Sequence, residues 1–443
     1  MSEPIDTSKW QELSENILKQ AVSKGATSAE VSASMADGFT VNVRLGEIDT
    51  IEYHRDKGLD IRVFFGHKTG SSSTTDFNDA SLDEALNSAL SIARATGEDP
   101  FQGLADANLM ANNYPDLDLF YPWNLTVEQA VEMAKQCESF GRDSHSKITN
   151  SDGVTITTHK GFYLYTNTHG FVGHYPSTRH LIQCVLLAEE GEQKERDYEY
   201  SLSRDASLLK SLEEIGKNAA LKAVSRLGAQ KISTRKTPVV FDAPVACGLV
   251  GHLSQAIRGG SIYRKSSFLL DHLHKKIFPE FVTIIEKPHI PKAIGSAPFD
   301  GEGVYTQSRT FVNKGLLESY ILNSYAARKL GLVSTGNAGG VRNFQIQSTV
   351  SDKNELFKMM GTGLFVTEVM GQGVNIVTGD YSRGATGYWI ENGVIKHPVH
   401  EITIAGNLKD MFLNIVAIGN DMDKRGSIWS GSILVENMTV AGH

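Results

Sequence analysis

The stretch FDAPVACGLVGHLSQAIRGGSIYRKSSFLL, from Phe241 to Leu270, is the segment around which the rest of the chain is organised. It begins with apolar residues, carries Pro244 close to a predicted helix start, and ends in a basic and polar run. At its centre lies CGLVGH, which brings Cys247 and His252 into one short segment. Both residue types are metal ligands in proteins, so this segment is the first candidate for a functional site.

Length and composition predict a soluble globular protein of two domains. The chain has 443 residues, more than the roughly 250–300 residues at which a single hydrophobic core stops growing. Hydrophobic residues make up 40% of the chain and charged residues 21%, which allows a sizeable core. The net charge of -8 argues against a dedicated nucleic-acid surface, so no direct nucleic-acid binding is expected.

Cysteine usage and the N-terminal segment predict a cytoplasmic location. Cys137, Cys184 and Cys247 lie far apart, without a CxxC pair or a disulfide framework, which is typical of a reducing compartment. The N-terminal segment MSEPIDTSKWQELSENILKQ is polar and acidic, unlike a signal peptide. No apolar run approaches the roughly 18 residues of a transmembrane helix, so no membrane association is expected.

The pattern in the first half of the chain predicts a helix, then strands, then a helix, and this order occurs twice. Helices are predicted from Thr7 or Ser8, from Asp79 or Ser81, over about 126–144 and over about 206–227. Short strands fill the intervals, and Asp37-Gly38, Gly46 and Lys57-Gly58 predict turns between the first of them. The repeated order indicates a possible internal duplication, with two similar α/β units forming an N-terminal domain of residues 1–232.

The cysteine and histidines of this half are expected to be structural. Cys137 lies on the apolar face of the third predicted helix and is interpreted as a small core residue. His159, His169, His174 and His180 cluster in sequence without acidic partners at ligand spacing. We interpret them as ordinary strand and loop histidines, with a metal site as the alternative.

Residues 233–443 predict a second, β-rich domain. It opens with the strand TPVVFDA, contains the central stretch, and continues as short strands with glycines at their corners. Such a pattern favours a twisted or barrel-like sheet. The fold class expected for the whole chain is therefore α+β, with an N-terminal α/β domain and a C-terminal barrel-like domain.

Several common catalytic motifs are absent from the sequence. There is no G-x-x-x-x-G-K-[ST] phosphate loop and no G-x-S-x-G nucleophile elbow. The pairs Gly361/Gly363 and Gly371/Gly373 lack the third glycine of a dinucleotide fingerprint. The His-Glu dipeptide His400-Glu401 is not followed by a second histidine at zincin spacing, so no metalloprotease motif starts there.

Strings spread along essentially the whole chain resemble the TldD/PmbA family, and specifically its TldE (PmbA) branch. They include GLVGHL, GGSIYRKSSFLLD, YAARKLG, STGNAGG, MGTGL, VTEVMGQG, TGDYSRGATGYWIENG and ITIAGNLKDM. The resemblance implies an N-terminal α/β domain followed by a β-rich domain, which agrees with the division near residue 232.

The family resemblance also implies that residues 247–252 are a degenerate active-site motif. The TldD branch carries H-E-x-x-x-H there, with two histidines that bind zinc and a glutamate that activates water. In this chain Cys247 takes the first histidine position, Gly248 takes the glutamate position, and His252 remains. The family's third ligand is a cysteine near the C-terminus. The comparable segment of this chain, Ile428–Ser432, contains serines and no cysteine. We therefore expect neither a metal nor a cofactor in this chain, and zinc in a TldD-like partner.

The implied function is that of a partner subunit. TldD/TldE-type complexes enclose a protease chamber for unfolded peptides, and are linked to microcin-type precursor maturation and antitoxin turnover. This chain is expected to be the non-catalytic member, with a homodimer when it is alone. Peptide is expected to add as a strand along two glycine-rich edges, with tight turns as the alternative. These residues are Gly336, Asn337, Gly339, Gly340, Val341, Met370, Gly371 and Gly373.

Two other functional classes stay open on sequence alone. One is an independent hydrolase that uses Cys247 or Ser430 as nucleophile, although no base is placed beside either residue in the sequence. The other is a non-enzymatic protein that binds peptides or modulates a DNA gyrase, as the family's genetics suggests.

Overall fold

The computed structural model describes residues 7–442, and its first half is an antiparallel sheet with helices packed on one face. The strands are β1 (Ser28–Arg44), β2 (Glu47–Phe65), β3 (Lys68–Thr74), β4 (Ile148–Asn167), β5 (Val172–Glu190) and β6 (Gln193–Ser203). They lie in the order β3-β2-β1-β4-β5-β6, so each half of the sheet comes from one continuous segment. The helices are α1 (Ser8–Ser23), α2 (Asp79–Ala95), α3 (Val127–Arg142) and α4 (Leu212–Ser225).

The internal duplication predicted from the order of elements is visible in this sheet. Each half reads helix, three strands, helix, and the two halves meet where β1 pairs with β4. Along β1, Val31 packs with α1 and α2, whereas Val41 packs with α3. Cys137 is fully buried in the second of these cores, as expected for a small core residue.

Helix starts in this half follow from local capping. The Asn78 side chain accepts a hydrogen bond from Ser81 N at the start of α2, so Asn78 is the cap rather than the predicted residues. Thr126 and Gln129 form a capping box at the start of α3. The fourth helix begins later than predicted, at Leu212, because residues 206–208 form a separate 3-10 turn. Residues 1–6 of the polar N-terminal segment lie outside the described residues.

Two predicted turns are wrong, because the strands are longer than their turn-like dipeptides suggest. Asp37-Gly38 lies inside β1, and Lys57-Gly58 lies inside β2. A Cβ atom at Gly38 would stand 1.9 Å from the Thr158 carbonyl oxygen, so this glycine permits close approach of β4 rather than a turn. The turn at Gly46 is confirmed, with a φ of 81° between β1 and β2.

The second half contains a closed five-stranded barrel and a separate five-stranded sheet, which confirms the barrel-like expectation. Its strands are β7 (Arg235–Phe241), β8 (Ile284–Glu286), β9 (Arg309–Asn313), β10 (Leu316–Leu317), β11 (Phe344–Ile346), β12 (Gly363–Met370), β13 (Asp380–Glu391), β14 (Val394–Asn407), β15 (Ile415–Ile418), β16 (Ile428–Trp429) and β17 (Ile433–Ala441). The order β14-β13-β12-β7-β17 is closed by pairing of β14 with β17, and β15 lies beside β17. The other sheet has the order β10-β9-β8-β11-β16.

Five helices of the described residues accompany these sheets. They are α5 (Ala243–Ala256), α6 (Gly259–Tyr263), α7 (Ser324–Lys329), α8 (Lys353–Met360) and α9 (Leu408–Leu413). Along β7, Val239 and Phe241 pack in a core with Leu253 of α5, whereas Val240 packs with Phe357 of α8. The central stretch is thereby anchored to the barrel by its first strand and its first helix.

The connection at 97–125 packs the two halves together. Tyr114 of this segment contacts Phe299 edge to face, with ring centroids 5.2 Å apart. Arg328 donates hydrogen bonds to the carbonyl oxygens of Phe101 and Gly103. The domain boundary between residues 232 and 233 stays a prediction. No helix within residues 7–442 is both long and apolar enough to cross a membrane.

Candidate functional site

Helix α5 carries the hexapeptide, as the sequence predicts. It follows β7 directly, and Pro244 occupies its first turn, where a backbone N–H is not needed. Asp242 stands at the N-cap but makes no capping bond, because its carboxylate accepts a hydrogen bond from Lys353 Nζ at 2.7 Å. The apolar residues of α5 are buried against the barrel, which leaves Gly248 exposed and Cys247 half-buried.

The Cys247 thiol is held in contact with two segments of backbone. Its Sγ lies 3.8 Å from the carbonyl oxygen of Asp423 and also receives the backbone N–H of Ser430. Burial, followed by the charge of Asp423, raises the pKa of the thiol to about 12. The thiol therefore stays protonated at neutral pH, which makes it a poor nucleophile.

His252 lies in a different environment from Cys247. Its ring stands edge-on to Tyr381, with centroids 6.0 Å apart, and its buried Nδ1 has no hydrogen-bond partner. Burial, with the nearby Arg383 guanidinium as a second cause, lowers the pKa of His252 to about 4. The imidazole is neutral at physiological pH, and no carboxylate contributes to its pKa shift.

The position that the glutamate occupies in the TldD-type motif is open space. A Cβ atom at Gly248 would have no other atom within 4 Å, so packing alone would tolerate a larger side chain there. A Cβ atom at Gly251 would stand 3.5 Å from Ile428 Cδ1, an ordinary contact. The missing carboxylate is therefore a property of the sequence and is not imposed by the fold.

The serines that replace the family's C-terminal ligand lie next to α5. Ser430 is fully buried and donates its hydroxyl to the Gly431 carbonyl oxygen. Ser432 donates to Asp421 at 2.7 Å. Within residues 7–442, no histidine forms a hydrogen bond with either hydroxyl, so these residues do not form the nucleophile-base pair that a serine hydrolase needs.

These donors do not fit a catalytic zinc ion. Such a site needs three protein ligands around one open position. Cys247 and His252 are about 140° apart around an ideal helix. Their nearest partners belong to different elements, the segment before β16 for Cys247 and strand β13 for His252. Within residues 7–442, no group of three His, Cys, Asp or Glu side chains is arranged to hold a metal ion.

Cys247 opens onto a cleft of about 430 Å³ that joins the two halves of the molecule. The walls come from β6, α4, the start of α5 and strands of the barrel. The lining residues are Asp197, Tyr198, Tyr200, Lys222, Arg226, Asp242, Pro244, Cys247, Thr367, Glu368, Tyr388, Asp423, Arg425, Gly426 and Ile428. We call this space the Cys247 cleft.

Every cation that lines the Cys247 cleft is paired with a carboxylate. Arg226 contacts both Asp197 and Glu368 at 2.6 Å. Arg425 pairs with Asp423 at 2.7 Å and stacks over Tyr200. Burial opposes ionisation of Asp423, but the hydrogen bonds from Arg425 outweigh it and hold the pKa of that carboxyl below its usual range.

The predicted peptide-binding segment at Met370–Gly373 lies near His252. Met370 is exposed at the end of β12, and its carbonyl oxygen faces Arg383 Nε at 3.4 Å. The same Arg383 lies beside His252. A Cβ atom at Gly373 would stand 1.9 Å from the Ser382 carbonyl oxygen, whereas Gly371 lies in open space with a φ of 85°. Binding of peptide at Met370, Gly371 and Gly373 stays a prediction.

The second predicted segment, Gly336–Val341, is a loop held by two buried carboxylates. Asn337 donates to both carboxylate oxygens of Glu286, at 2.9 and 3.0 Å. Asp300 accepts a hydrogen bond from the backbone N–H of Ala338 at 2.8 Å. Gly336 and Asn337 are buried, whereas Gly339 is exposed and Gly340 and Val341 are half-buried. Peptide binding there also stays a prediction.

Sequence reasoning missed the charged residues of the Cys247 cleft. Asp197 and Tyr200 belong to the alternating run ERDYEYS of β6, a pattern that indicates a strand with one charged and one aromatic face. Asp423 and Arg425 follow in a short polar segment before β16. Nothing local in the sequence indicates that these segments meet at α5.

Fold and degenerate motif together define a metallopeptidase-type chain, and the comparison with known families agrees. Family models described as PmbA/TldA metallopeptidase domain 1, central domain and C-terminal domain match residues 29–93, 120–227 and 234–442. The chain belongs to this PmbA/TldD metallopeptidase family.

Individual relatives match nearly the full chain. Metalloprotease PmbA of Escherichia coli O157:H7 is 46% identical over 438 residues, which cover 97% of each chain. A PmbA homologue of Haemophilus influenzae is 45% identical, also over 97% of each chain. Among solved structures, a Bacteroides thetaiotaomicron protein named as a candidate modulator of DNA gyrase has a TM-score of 0.92 and 26% identity, covering 99% of this chain and 100% of its own. TldE of Thermococcus kodakarensis shares the fold, with a TM-score of 0.82 at 17% identity, over 97% of this chain and 100% of its own.

Proposed function

We propose that this chain is the non-catalytic subunit of a cytoplasmic zinc metalloprotease complex of the TldD/TldE type, acting on unfolded peptides. The observation that carries the proposal is the hexapeptide on α5, which has a glycine in the glutamate position and donors that point to different neighbours. A metallopeptidase needs a base and three ligands, which a TldD-like partner would supply with zinc.

The role assigned to this chain is to form part of the chamber wall and to support the active partner. Peptides extended as strands bind sheet edges through backbone hydrogen bonds, with little demand on sequence. The Met370–Gly373 segment, exposed beside the barrel, is the proposed contact for such a peptide. Microcin-type precursors and antitoxins are the proposed substrate class.

Co-expression with an H-E-x-x-x-H partner tests the proposal. We expect the two chains to co-purify and to cleave an unfolded substrate such as reduced casein, whereas neither chain cleaves it alone. Replacing the motif glutamate of the partner by glutamine should abolish cleavage without separating the chains. If this chain alone binds stoichiometric zinc and cleaves casein, the non-catalytic role is wrong.

The alternative of an independent hydrolase is tested at Cys247. Its raised pKa predicts that iodoacetamide labels Cys247 at neutral pH at least tenfold more slowly than free glutathione. Mass spectrometry measures the labelling rate of Cys247 in the native chain and, for reference, in the urea-unfolded chain. Fast labelling of Cys247, together with loss of cleavage in Cys247→Ala, would favour the hydrolase.

A second candidate function is non-enzymatic modulation of DNA gyrase. Two structural relatives, at 26% and 27% identity, carry that description in their names. An equimolar addition of the purified chain to a gyrase supercoiling assay tests it. A changed supercoiling rate supports modulation, and an unchanged rate leaves the partner-subunit role as the function to pursue.

A further inference from the structure

A second cavity of about 430 Å³ lies between the N-terminal sheet and residues 294–296 of the second half. Its lining contains four basic side chains and, within the described residues, no carboxylate. The lining residues are Met35, Ala36, His159, Lys160, Gly161, Phe162, Tyr163, Tyr175, Ser177, Thr178, Arg179, Arg204, Ile294 and Ser296. We call it the Arg204 cavity.

Arg204 is the most buried charge of this cavity and has no anionic partner in the described part of the chain. Arg204 as a whole is only 9% exposed to solvent. The guanidinium donates to three carbonyl oxygens, those of Ala293 at 3.1 Å, Thr178 at 3.2 Å and Ile294 at 2.8 Å. A guanidinium has five N–H donors, so two remain for another acceptor. Buried arginines are normally paired with an acid, and carbonyl groups alone do not neutralise the charge.

The electrostatic surroundings of Arg204 leave its charge uncompensated. Burial lowers the pKa of Arg204. Tyr175 raises this pKa and Arg179 lowers it, and no Asp or Glu among the described residues contributes. Arg179 is exposed and forms no ion pair within residues 7–442. Lys160 is the better neutralised cation of this lining, with Asp37 at 3.9 Å. Two guanidinium groups therefore line one cavity without a counter-ion from residues 7–442.

The remaining lining matches a small anionic group attached to a larger molecule. Hydroxyl groups of Tyr163, Tyr175 and Ser177 line the same cavity as the two arginines and supply neutral hydrogen-bond donors and acceptors. Carboxylates pair with guanidinium groups through two parallel hydrogen bonds, which gives both affinity and orientation. The volume is at the low end for ligand sites and holds a chain end or a side chain, not a folded partner.

We propose that the Arg204 cavity is a binding subsite for a peptide carboxylate, with Arg204 and Arg179 as its cationic ligands. This inference deepens the proposed function, because an unfolded peptide presents carboxylates only at its C-terminus and on Asp or Glu side chains. A captured carboxylate fixes one point of a mobile peptide while the rest stays free for strand addition elsewhere.

Calorimetric titration of this chain alone with short peptides tests the proposal. The probes are acetyl-Ala-Ala-Tyr-Ala-Ala with a free carboxylate, the same peptide as its amide, and amidated versions with Asp or Asn at the tyrosine position. We expect each carboxylate-bearing peptide that binds to do so at least tenfold more tightly than its neutral counterpart. The two pairs separate a C-terminal carboxylate from an acidic side chain. Equal affinity of acid and amide forms in both pairs, or no binding at millimolar peptide, overturns the proposal.

Variants of the two arginines assign the site. Arg179→Gln should weaken binding of the carboxylate peptide at least fivefold, and so should Arg204→Lys, which keeps the charge but loses the planar fork. Arg142→Gln, an exposed arginine of α3 outside the cavity, should change affinity less than twofold. If Arg179→Gln behaves like Arg142→Gln, and Arg204→Lys does too while still unfolding cooperatively, the site is wrong. No partner chain or proteolysis enters this titration, so its failure is distinguishable from failure of the proposed complex.

Discussion

The Cys247 cleft and the Arg204 cavity have the same volume, about 430 Å³, and opposite electrostatics. In the cleft, Arg226 and Arg425 are both bound by carboxylates of the protein. In the cavity, Arg204 and Arg179 have no such partner among the residues that the structure describes. A cluster of arginines is therefore not by itself a ligand site. Where the protein supplies the anions, the charges fix two halves of the fold together, and where it does not, a ligand can supply them.

The largest effect is expected from breaking the ion pairs of Arg226 in the Cys247 cleft. Arg226→Met leaves Asp197 and Glu368 without their shared cation, and a buried ion pair broken on one side costs about 3 kcal/mol. Urea unfolding should show this loss in the free energy of unfolding. Arg142→Met, at an exposed position, should cost less than about 0.5 kcal/mol. A similar small cost for both variants would show that the cleft pairs do not hold the halves together.

The next effect concerns His252, a half-buried neutral group on α5 that lies outside the Cys247 cleft. Its folded pKa of about 4 lies below the ordinary 6.5, so the unfolded chain binds a proton that the folded chain refuses between these values. Stability attributable to His252 should therefore fall as pH decreases from about 6.5 to about 4. The full shift corresponds to about 3 kcal/mol, which we reduce to about 2 kcal/mol because the ring is only half-buried.

The difference between wild type and His252→Phe over this pH range is the measurement. Asp300 acts in the opposite direction, because burial raises the pKa of its carboxyl to about 7, so only the difference isolates His252. The variant should lose less stability on acidification than wild type does. His145→Phe, at an exposed histidine, serves as control. Parallel pH profiles for wild type and His252→Phe would contradict the assignment.

A smaller effect on the free energy of unfolding should follow from placing a carboxylate in the Arg204 cavity. Arg179→Glu removes a repelling charge and places a carboxylate near Arg204, which should add about 1 kcal/mol to the free energy of unfolding. The same variant should no longer bind the carboxylate-bearing peptide. Lys236→Glu, at an exposed position lining neither space, should show no such gain. Destabilisation by Arg179→Glu would mean that Arg204 is already neutralised.

The smallest effect is expected at Gly248. A Cβ atom at Gly248 has no described neighbour within 4 Å outside its own helix backbone. Gly248→Glu should therefore stabilise α5 by about 0.5 kcal/mol, because glycine has the lower helix propensity. It should not produce zinc-dependent cleavage by the chain alone, since Cys247 and His252 still face different neighbours. Thermal unfolding and a casein assay with added zinc measure both outcomes.

Local signals explain what the sequence predicted well. Helices α2 and α3 were expected near their observed positions because caps and apolar periodicity are encoded within a few residues. The burial of Cys137 followed from the same periodicity. The turns at Asp37-Gly38 and Lys57-Gly58 were wrong because pairing with neighbouring strands overrides turn propensity, and only the neighbour shows that Gly38 is needed for close approach.

Long-range contacts explain what sequence reasoning missed. Asp197, Arg226 and Glu368 come from β6, the end of α4 and β12, and no local pattern reports that they meet. Arg204 gives no local signal either, since the absence of an acid around it is a property of the assembled fold. A net charge of -8 even suggests that acids are plentiful.

The chemistry available on α5 follows from the amino-acid sequence alone, because a cysteine, a glycine and a histidine stand where the TldD-type motif has two histidines and a glutamate. The neighbours of Cys247 and His252 depend on how the chain folds. Cys247 is turned toward the Asp423 backbone and His252 toward Tyr381, because residues five positions apart lie on different sides of a helix. It also decided which arginines are neutralised, since charge pairing depends on distances that a linear sequence does not contain.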